Sequence, residues 1–135
     1  MCPDLVKNSF LITGCDGFLG KSLIFNLCKI IEAKIPEINK ELRPTIFAID
    51  NGITSNKTGR IKKSYIQYLD ANLIKFPFFD LPPQDYIIHM AGLASPVQYK
   101  RYPLETIDVA VNVTRSLLEC ALDWHSKLTF FSSSE

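Results

Sequence analysis

Ser9-Phe10-Leu11-Ile12-Thr13-Gly14-Cys15-Asp16-Gly17-Phe18-Leu19-Gly20 decides the fold. An apolar run ends in a glycine turn with the spacing G-x-x-G-x-x-G, and a second apolar pattern opens at Phe18. The run reads as a strand and the pattern after it as a helix. Glycines at the join let backbone amides approach a pyrophosphate, and the helix start presents its positive dipole end to the same group. A glycine triplet alone says little. Set between a strand and a helix, it points to a dinucleotide site.

The rest of the chain repeats this alternation. Leu19, Leu23, Leu27, Ile30 and Ile31 recur at helical spacing and predict a helix from about Phe18 to Ala33 with those residues on its core face. Pro36 and the polar stretch to Pro44 end it. Thr45 to Ile49 is a second strand, stopped by the turn signal Asp50-Asn51-Gly52. Residues 51–63 form a polar loop, and Tyr65 to Leu69 a third strand ending at Asp70. A short helix is expected from Ala71, kept brief by Pro77, Pro82 and Pro83.

Tyr86 to His89 is a fourth strand with a turn at Gly92. Pro103 suits the first turn of a long helix whose inner face is Ile107, Ala110, Val111, Thr114, Leu117, Leu118 and Ala121. Leu128 to Phe131 is a fifth strand, followed by Ser132-Ser133-Ser134-Glu135. This order predicts an α/β fold: a Rossmann-like doubly wound parallel sheet, strand order 3-2-1-4-5, with a ligand crevice where the order reverses. Residues 1–135 read as one dinucleotide-binding domain without linker or internal repeat.

Bulk properties narrow the function. The 135 residues suffice to bury roughly two-thirds of the surface that an unfolded chain exposes. A hydrophobic share of 47% with 21% charged residues is that of an ordinary globular protein. The net charge of +1 gives no global electrostatic case for nucleic acid or an anionic membrane, and Lys57, Arg60, Lys62 and Lys63 make only a local cluster. No apolar run approaches the roughly 20 residues of a membrane span, and the N-terminus lacks the layout of a signal peptide. Cys2, Cys15, Cys28 and Cys120 are scattered without a C-x-x-C pair, so neither a metal site nor a disulfide framework is expected. A reducing cytoplasm is the expected location.

Asp50 ends strand two, where a carboxylate can accept hydrogen bonds from the adenosine ribose hydroxyls and repel a ribose phosphate. Its distance from the glycine turn exceeds the usual roughly 20 residues, which the polar insert between Lys34 and Pro44 explains. A turn-forming aspartate is the competing role. NAD is therefore the expected cofactor rather than NADP. Asp70, at the same sheet edge, could meet the adenine amino group or cap the following helix. His89 reads as a structural histidine without assigned chemistry. Ala91 and Gly92 are small enough for a cofactor to pass close to the backbone. Ser132, Ser133 and Ser134 end strand five at the crevice edge, as a site element or as plain loop.

Taken together, Thr13-Gly14-x-x-Gly17-x-x-Gly20, Asp50-Asn51, His89-x-Ala91-Gly92 and Ser132-Ser133-Ser134-Glu135 resemble the extended short-chain dehydrogenase/reductase superfamily. More narrowly they resemble the NAD-dependent epimerase/dehydratase family, which acts on nucleotide sugars. Within it, Asp50-Asn51 with Thr58-Gly59-Arg60 is similar to the cofactor loop of the UDP-glucuronate decarboxylases. Gly92-Leu93-Ala94-Ser95-Pro96 with Tyr99 and Tyr102-Pro103 is similar to their substrate-side segment.

The resemblance implies a redox-neutral cycle through a 4-keto sugar, on a substrate that is expected to be UDP-linked. It implies cofactor contacts from Gly14, Asp16, Gly17, Phe18, Leu19, Asp50, Asn51, Gly59, Arg60, Asp70, Ala71, Ala91, Gly92 and Ser132. It also implies catalytic roles for Ser133, which would bond the reacting oxygen, and Glu135. Ser134 stands where dehydratases carry Asp, which favours decarboxylation or epimerisation. Three departures accompany it. Ala110 replaces the asparagine expected near the nicotinamide, with Asn112 roughly 200° away around the helix. Val113 replaces an expected glycine, and no Tyr-x-x-x-Lys pair occurs. The chain therefore reads as the N-terminal, cofactor-binding part of such an enzyme, without the sugar-binding lobe. A non-catalytic dinucleotide-binding module is the alternative, and a homodimer is left open.

Overall fold

A computed structural model describes residues 8–132, the side chain of Ile38 excepted. Five parallel strands lie in the order β3-β2-β1-β4-β5. They are β1 (Phe10–Thr13), β2 (Ile46–Asp50), β3 (Ile66–Asp70), β4 (Tyr86–His89) and β5 (Lys127–Phe130). The expected order holds. β1 is central, with Thr13 level with Ile49 of β2 on one side and His89 of β4 on the other. Asp50 is level with Asp70, so the residues singled out by sequence gather on the carboxyl edge.

The two innermost strands on this side, β1 and β2, are buried at every position, which is why they read as unbroken apolar runs rather than alternating ones. The sheet separates two apolar clusters. One joins Phe10, Ile12, Ile46 and Ala48 to Ile24, Leu27, Cys28 and Ile31 of helix α1 (Phe18–Lys34). The other joins Leu11, Phe47, Ile49 and Ile87 to Val113, Leu117, Cys120 and Ala121 on the opposite face. Both faces are therefore covered, as the doubly wound reading requires.

The buried face of α1 differs from the expected one. It consists of Gly20, Ile24, Leu27, Cys28 and Ile31, while Leu19 and Ile30 are exposed. Gly20 sets this rotation, because a Cβ there would lie 2.2 Å from the Gly14 carbonyl oxygen and 2.7 Å from Cys15 Cα. Only glycine lets the helix approach the turn so closely, and the positions following at helical spacing from it become the core face.

The long second helical rod is also rearranged. α2 (Pro96–Arg101), not expected from sequence, precedes α3 (Pro103–Ile107). A π-helical stretch over Asp108–Val113 then leads into α4 (Thr114–Trp124). Ile107, Ala110, Val111 and Leu118, read as inner-face residues, are exposed; Leu117 and Ala121 are buried as expected, joined by Val113 and Cys120. A π turn closes with i→i+5 bonds and advances the chain by one residue more than an α turn, so a single 3.6-residue pattern cannot run through it. The short helix expected after Ala71 is one 3-10 turn, Leu73–Lys75.

Candidate dinucleotide site

The glycine turn is held from both sides of the sheet. Gly14 has φ +76°, and its amide donates to the Ile49 carbonyl of β2 at 2.9 Å. A Cβ at Gly14 would lie 2.7 Å from the Ala91 amide nitrogen, so the segment after β4 can run directly against the turn. Gly17 is the N-cap of α1, with no side chain capping the helix and no acidic residue in its first turn. The first amides of α1 thus keep their donors for an anion, and the helix dipole adds to the attraction.

A cavity of about 240 Å³ opens at this edge. Gly14 and Gly17 of the turn, Asp50 and Asn51 after β2, and Ala91 and Gly92 after β4 all line it. Sequence reading named all six. Asp50 is 8% exposed and is oriented by three donors. Its Oδ2 accepts from the Asp16 amide at 3.1 Å; its Oδ1 accepts from the Gly52 amide at 2.9 Å and the Ser55 hydroxyl at 3.0 Å. A carboxylate oxygen accepts two hydrogen bonds, so Oδ2 retains capacity toward a ribose hydroxyl. The residues present therefore fit an adenine dinucleotide: a glycine turn with uncapped helix amides and a carboxylate with hydrogen-bonding capacity left line one cavity.

Other expected contacts lie outside the lining. Phe18 and Leu19 begin α1 as exposed residues, Gly59 sits in the loop at φ +81°, and Ala71 packs in the second apolar cluster. Ser132 follows β5 as an exposed residue. Ser133 and Glu135, the catalytic expectations, fall outside the described residues. Asp70 does not cap the following turn, one of the two roles expected of it. It is paired with Lys57 at 2.7 Å and Arg60 at 2.6 Å, and Asn72 caps the following turn by accepting from the Ile74 amide. These two cations hold the Asp70 carboxyl below its usual range, Lys57 contributing most.

Arg60 is tied down as well. Its Nε and Nη2 donate to the two carboxylate oxygens of Asp16 at 2.8 and 2.6 Å, and its guanidinium stacks on Tyr68 with 4.6 Å from Cζ to the ring centroid. The hydrogen bonds to Asp16, with those to Asp70, raise its pKa further.

Cys15, Asp16 and Asp50 bring potential ligand atoms within 4.8 Å of one another. Burial, then the charges of Asp16 and Asp50, push the Cys15 thiol up to about 12, so it stays protonated and is a poor metal donor. Cys15, Cys28 and Cys120 are all free and buried. His89 is fully buried, with Nδ1 2.6 Å from the Thr13 hydroxyl. Burial pushes its pKa down, which keeps the ring neutral near pH 7.

Sequence reading missed Ser55, Ile74, Glu105 and Val109 as lining residues. Ser55 sits in a polar loop with no motif. Glu105 of α3 and Val109 of the π stretch reach the cavity from a rod whose rearrangement no periodicity announces. Asn112 points away, exposed and bonded to Asp108 at 2.7 Å, so it does not replace the asparagine missing at Ala110.

A glycine turn uncapped at a helix start, facing a buried carboxylate across a parallel sheet's edge, defines a dinucleotide-binding α/β domain. The chain belongs to the NAD dependent epimerase/dehydratase family, whose model matches residues 10–135. Among solved structures it is similar to an epimerase, Mth375, from Methanothermobacter thermautotrophicus, with TM-score 0.73 and 20% identity over 94% of this chain and 35% of that one. It is also similar to WbmF of Bordetella bronchiseptica, solved with NAD+ (TM-score 0.71, 18% identity, 94% and 36%). A third is a UDP-glucose-4-epimerase from Stenotrophomonas maltophila, solved with NAD and formylated UDP-arabinopyranose (TM-score 0.71, 21% identity, 94% and 37%). At these identities the likeness is one of fold. The chain spans about a third of the length of each. Comparison with curated protein sequences finds no match.

Proposed function

We propose that this chain binds NAD, as the cofactor-holding part of an enzyme that remodels nucleotide sugars through a 4-keto intermediate. The observation that carries the binding reading is Asp50, with acceptor capacity left on Oδ2, lining the same cavity as Gly14 and Gly17. Bound NAD would supply a reversible hydride acceptor. The chain's own part is positional. The α1 amides would take the pyrophosphate, Asp50 a ribose hydroxyl, and the backbone at Ala91 and Gly92 would let the cofactor pass.

Family membership supports the nucleotide-sugar reading, and three of the similar structures were solved with a UDP sugar or UDP. The finer reading, a UDP-glucuronate decarboxylase, rests on the segments around Thr58-Gly59-Arg60 and Gly92 to Pro103 and on Ser134 beside Glu135. Such an enzyme needs a Tyr-x-x-x-Lys pair, which these 135 residues do not contain. On this reading the pair is carried by residues beyond Glu135. A gene sequence continuing in frame into such a pair is the expected result; an unrelated continuation refutes it.

Ala110 and Val113, in place of the asparagine and glycine of the family helix, favour a second reading, a dinucleotide-binding module without turnover. Both readings require binding. Calorimetric titration of the purified chain with NAD should show saturable binding that Gly17→Val abolishes, since its side chain would enter the approach to the α1 amides. A folded chain that binds no NAD overturns both.

A further inference from the structure

Two cations lie beside the ribose end of the proposed site. Arg60 is bound on two nitrogens by Asp16, whose own amide donates to Asp50 Oδ2. A guanidinium one residue away from the ribose acceptor stands where an arginine accommodates the 2′-phosphate of NADP. Here it is engaged: its side chain is 15% exposed, and it also bridges to Asp70. Lys57, the second cation, is on the other Asp70 oxygen at 2.7 Å. Lys21 is bonded to the neutral Asn56 Oδ1 at 3.1 Å. Asp16, Asp50 and Asp70 thus outweigh Arg60 and Lys57 by one negative charge.

We propose, resting on the NAD-site reading above, that Asp16 and Asp70 determine the choice between NAD and NADP by holding Arg60 and Lys57 away from the 2′-position. A 2′-phosphate arriving there must compete with two carboxylates already bonded to the cations, and it meets the Asp50 carboxylate as well. A 2′-hydroxyl has no such competition. The arrangement also explains why a loop carrying an arginine and several lysines is compatible with an NAD site. Arg60 and Lys57 are occupied by acids of the glycine turn and of β3 before any cofactor arrives.

The test is a calorimetric comparison of NAD and NADP binding to the full chain and to Asp16→Asn, Asp70→Asn and the double variant. Releasing Arg60 and Lys57 should raise the NADP-to-NAD affinity ratio about tenfold or more in the double variant, the scale of a gained charge-assisted hydrogen bond. Adding Arg60→Leu to the double variant should return the ratio toward its starting value, whereas Arg60→Leu alone should not raise it. Asp70 is half-exposed, so Asp70→Asn folds even if Asp16→Asn does not, and it should shift the ratio in the same direction by itself. NAD binding with a ratio unmoved in all folded variants overturns this inference and leaves the NAD site standing. A folded wild-type chain that binds neither dinucleotide overturns the site and the inference together.

Discussion

Asp50 has two duties that one substitution can separate. It fastens the loop after β2 by accepting from Gly52 and Ser55, and it lines the cavity with acceptor capacity left on Oδ2. Asp50→Ala should weaken NAD binding about tenfold or more, the worth of a hydrogen bond to a charged group. Unchanged affinity by calorimetry would refute the ribose assignment. His89 makes a different prediction. Its pKa is lowered by burial, so the unfolded chain takes up a proton that the folded chain refuses. The sign follows: stability is flat above about pH 6.5 and declines as pH falls below that value toward the lower folded pKa. The lowered carboxyl Asp70 titrates in more acidic solution, leaving this window to histidine. Urea midpoints at pH 7.5, 6.5 and 5.5 should show the decline in the wild type and a smaller one in His89→Gln. At this scale the sequence is legible where a residue type has one use: Gly14, Gly17, Asp50, Ala91 and Gly92 were all marked by motif. Arg60 and Asp70 were marked too, yet their partners, Asp16 and Lys57, are chosen by tertiary geometry that spacing does not encode.

Among elements, the strands were the most legible, because a parallel strand covered on both faces must be apolar throughout and is bounded by turn residues. The helices other than α2 were found, but their rotation only in part: Leu27, Ile31, Leu117 and Ala121 are buried as read, whereas Leu19, Ile30 and Leu118 are exposed. For α1 the rotation is set by the contact of Gly20 with the backbone of Gly14 and Cys15. Gly20→Ala should force the helix off the turn and destabilise the chain by about 3 kcal/mol or more, as backbone and overpacking effects do in combination. Denaturant unfolding measures this, and a loss near zero would mean that α1 has room to move. For α4 the rotation is set across the π stretch. Leu117, with no exposure, should lose about 2–5 kcal/mol on replacement by Ala, while Leu122, 77% exposed, should change by about 0.5 kcal/mol or less. Equal losses at the two sites would contradict this placement of the helix.

The molecule as a whole is unevenly finished. The β2 side is closed by its loop and ion pairs, whereas β5 is exposed at most positions and, among the described residues, pairs only with β4. Leu104, Ile107, Val111, Leu118 and Leu122 also leave an exposed apolar stripe along the helical rod. Patches of this kind associate. Sedimentation should show self-association that grows with concentration and diminishes in Leu118→Glu/Leu122→Glu; a monomer at all concentrations would contradict it. The strand order has one more consequence, which concerns time. Strand β1 is second to none in burial, yet one of its two neighbours, β4, lies far along the chain, with Thr13 and His89 separated by 76 residues. As a nascent chain leaves the ribosome, β1 can pair with β2 long before β4 exists. Until Tyr86–His89 emerges, the middle of the finished sheet is its open border, and the most apolar strand in the protein waits there unzipped.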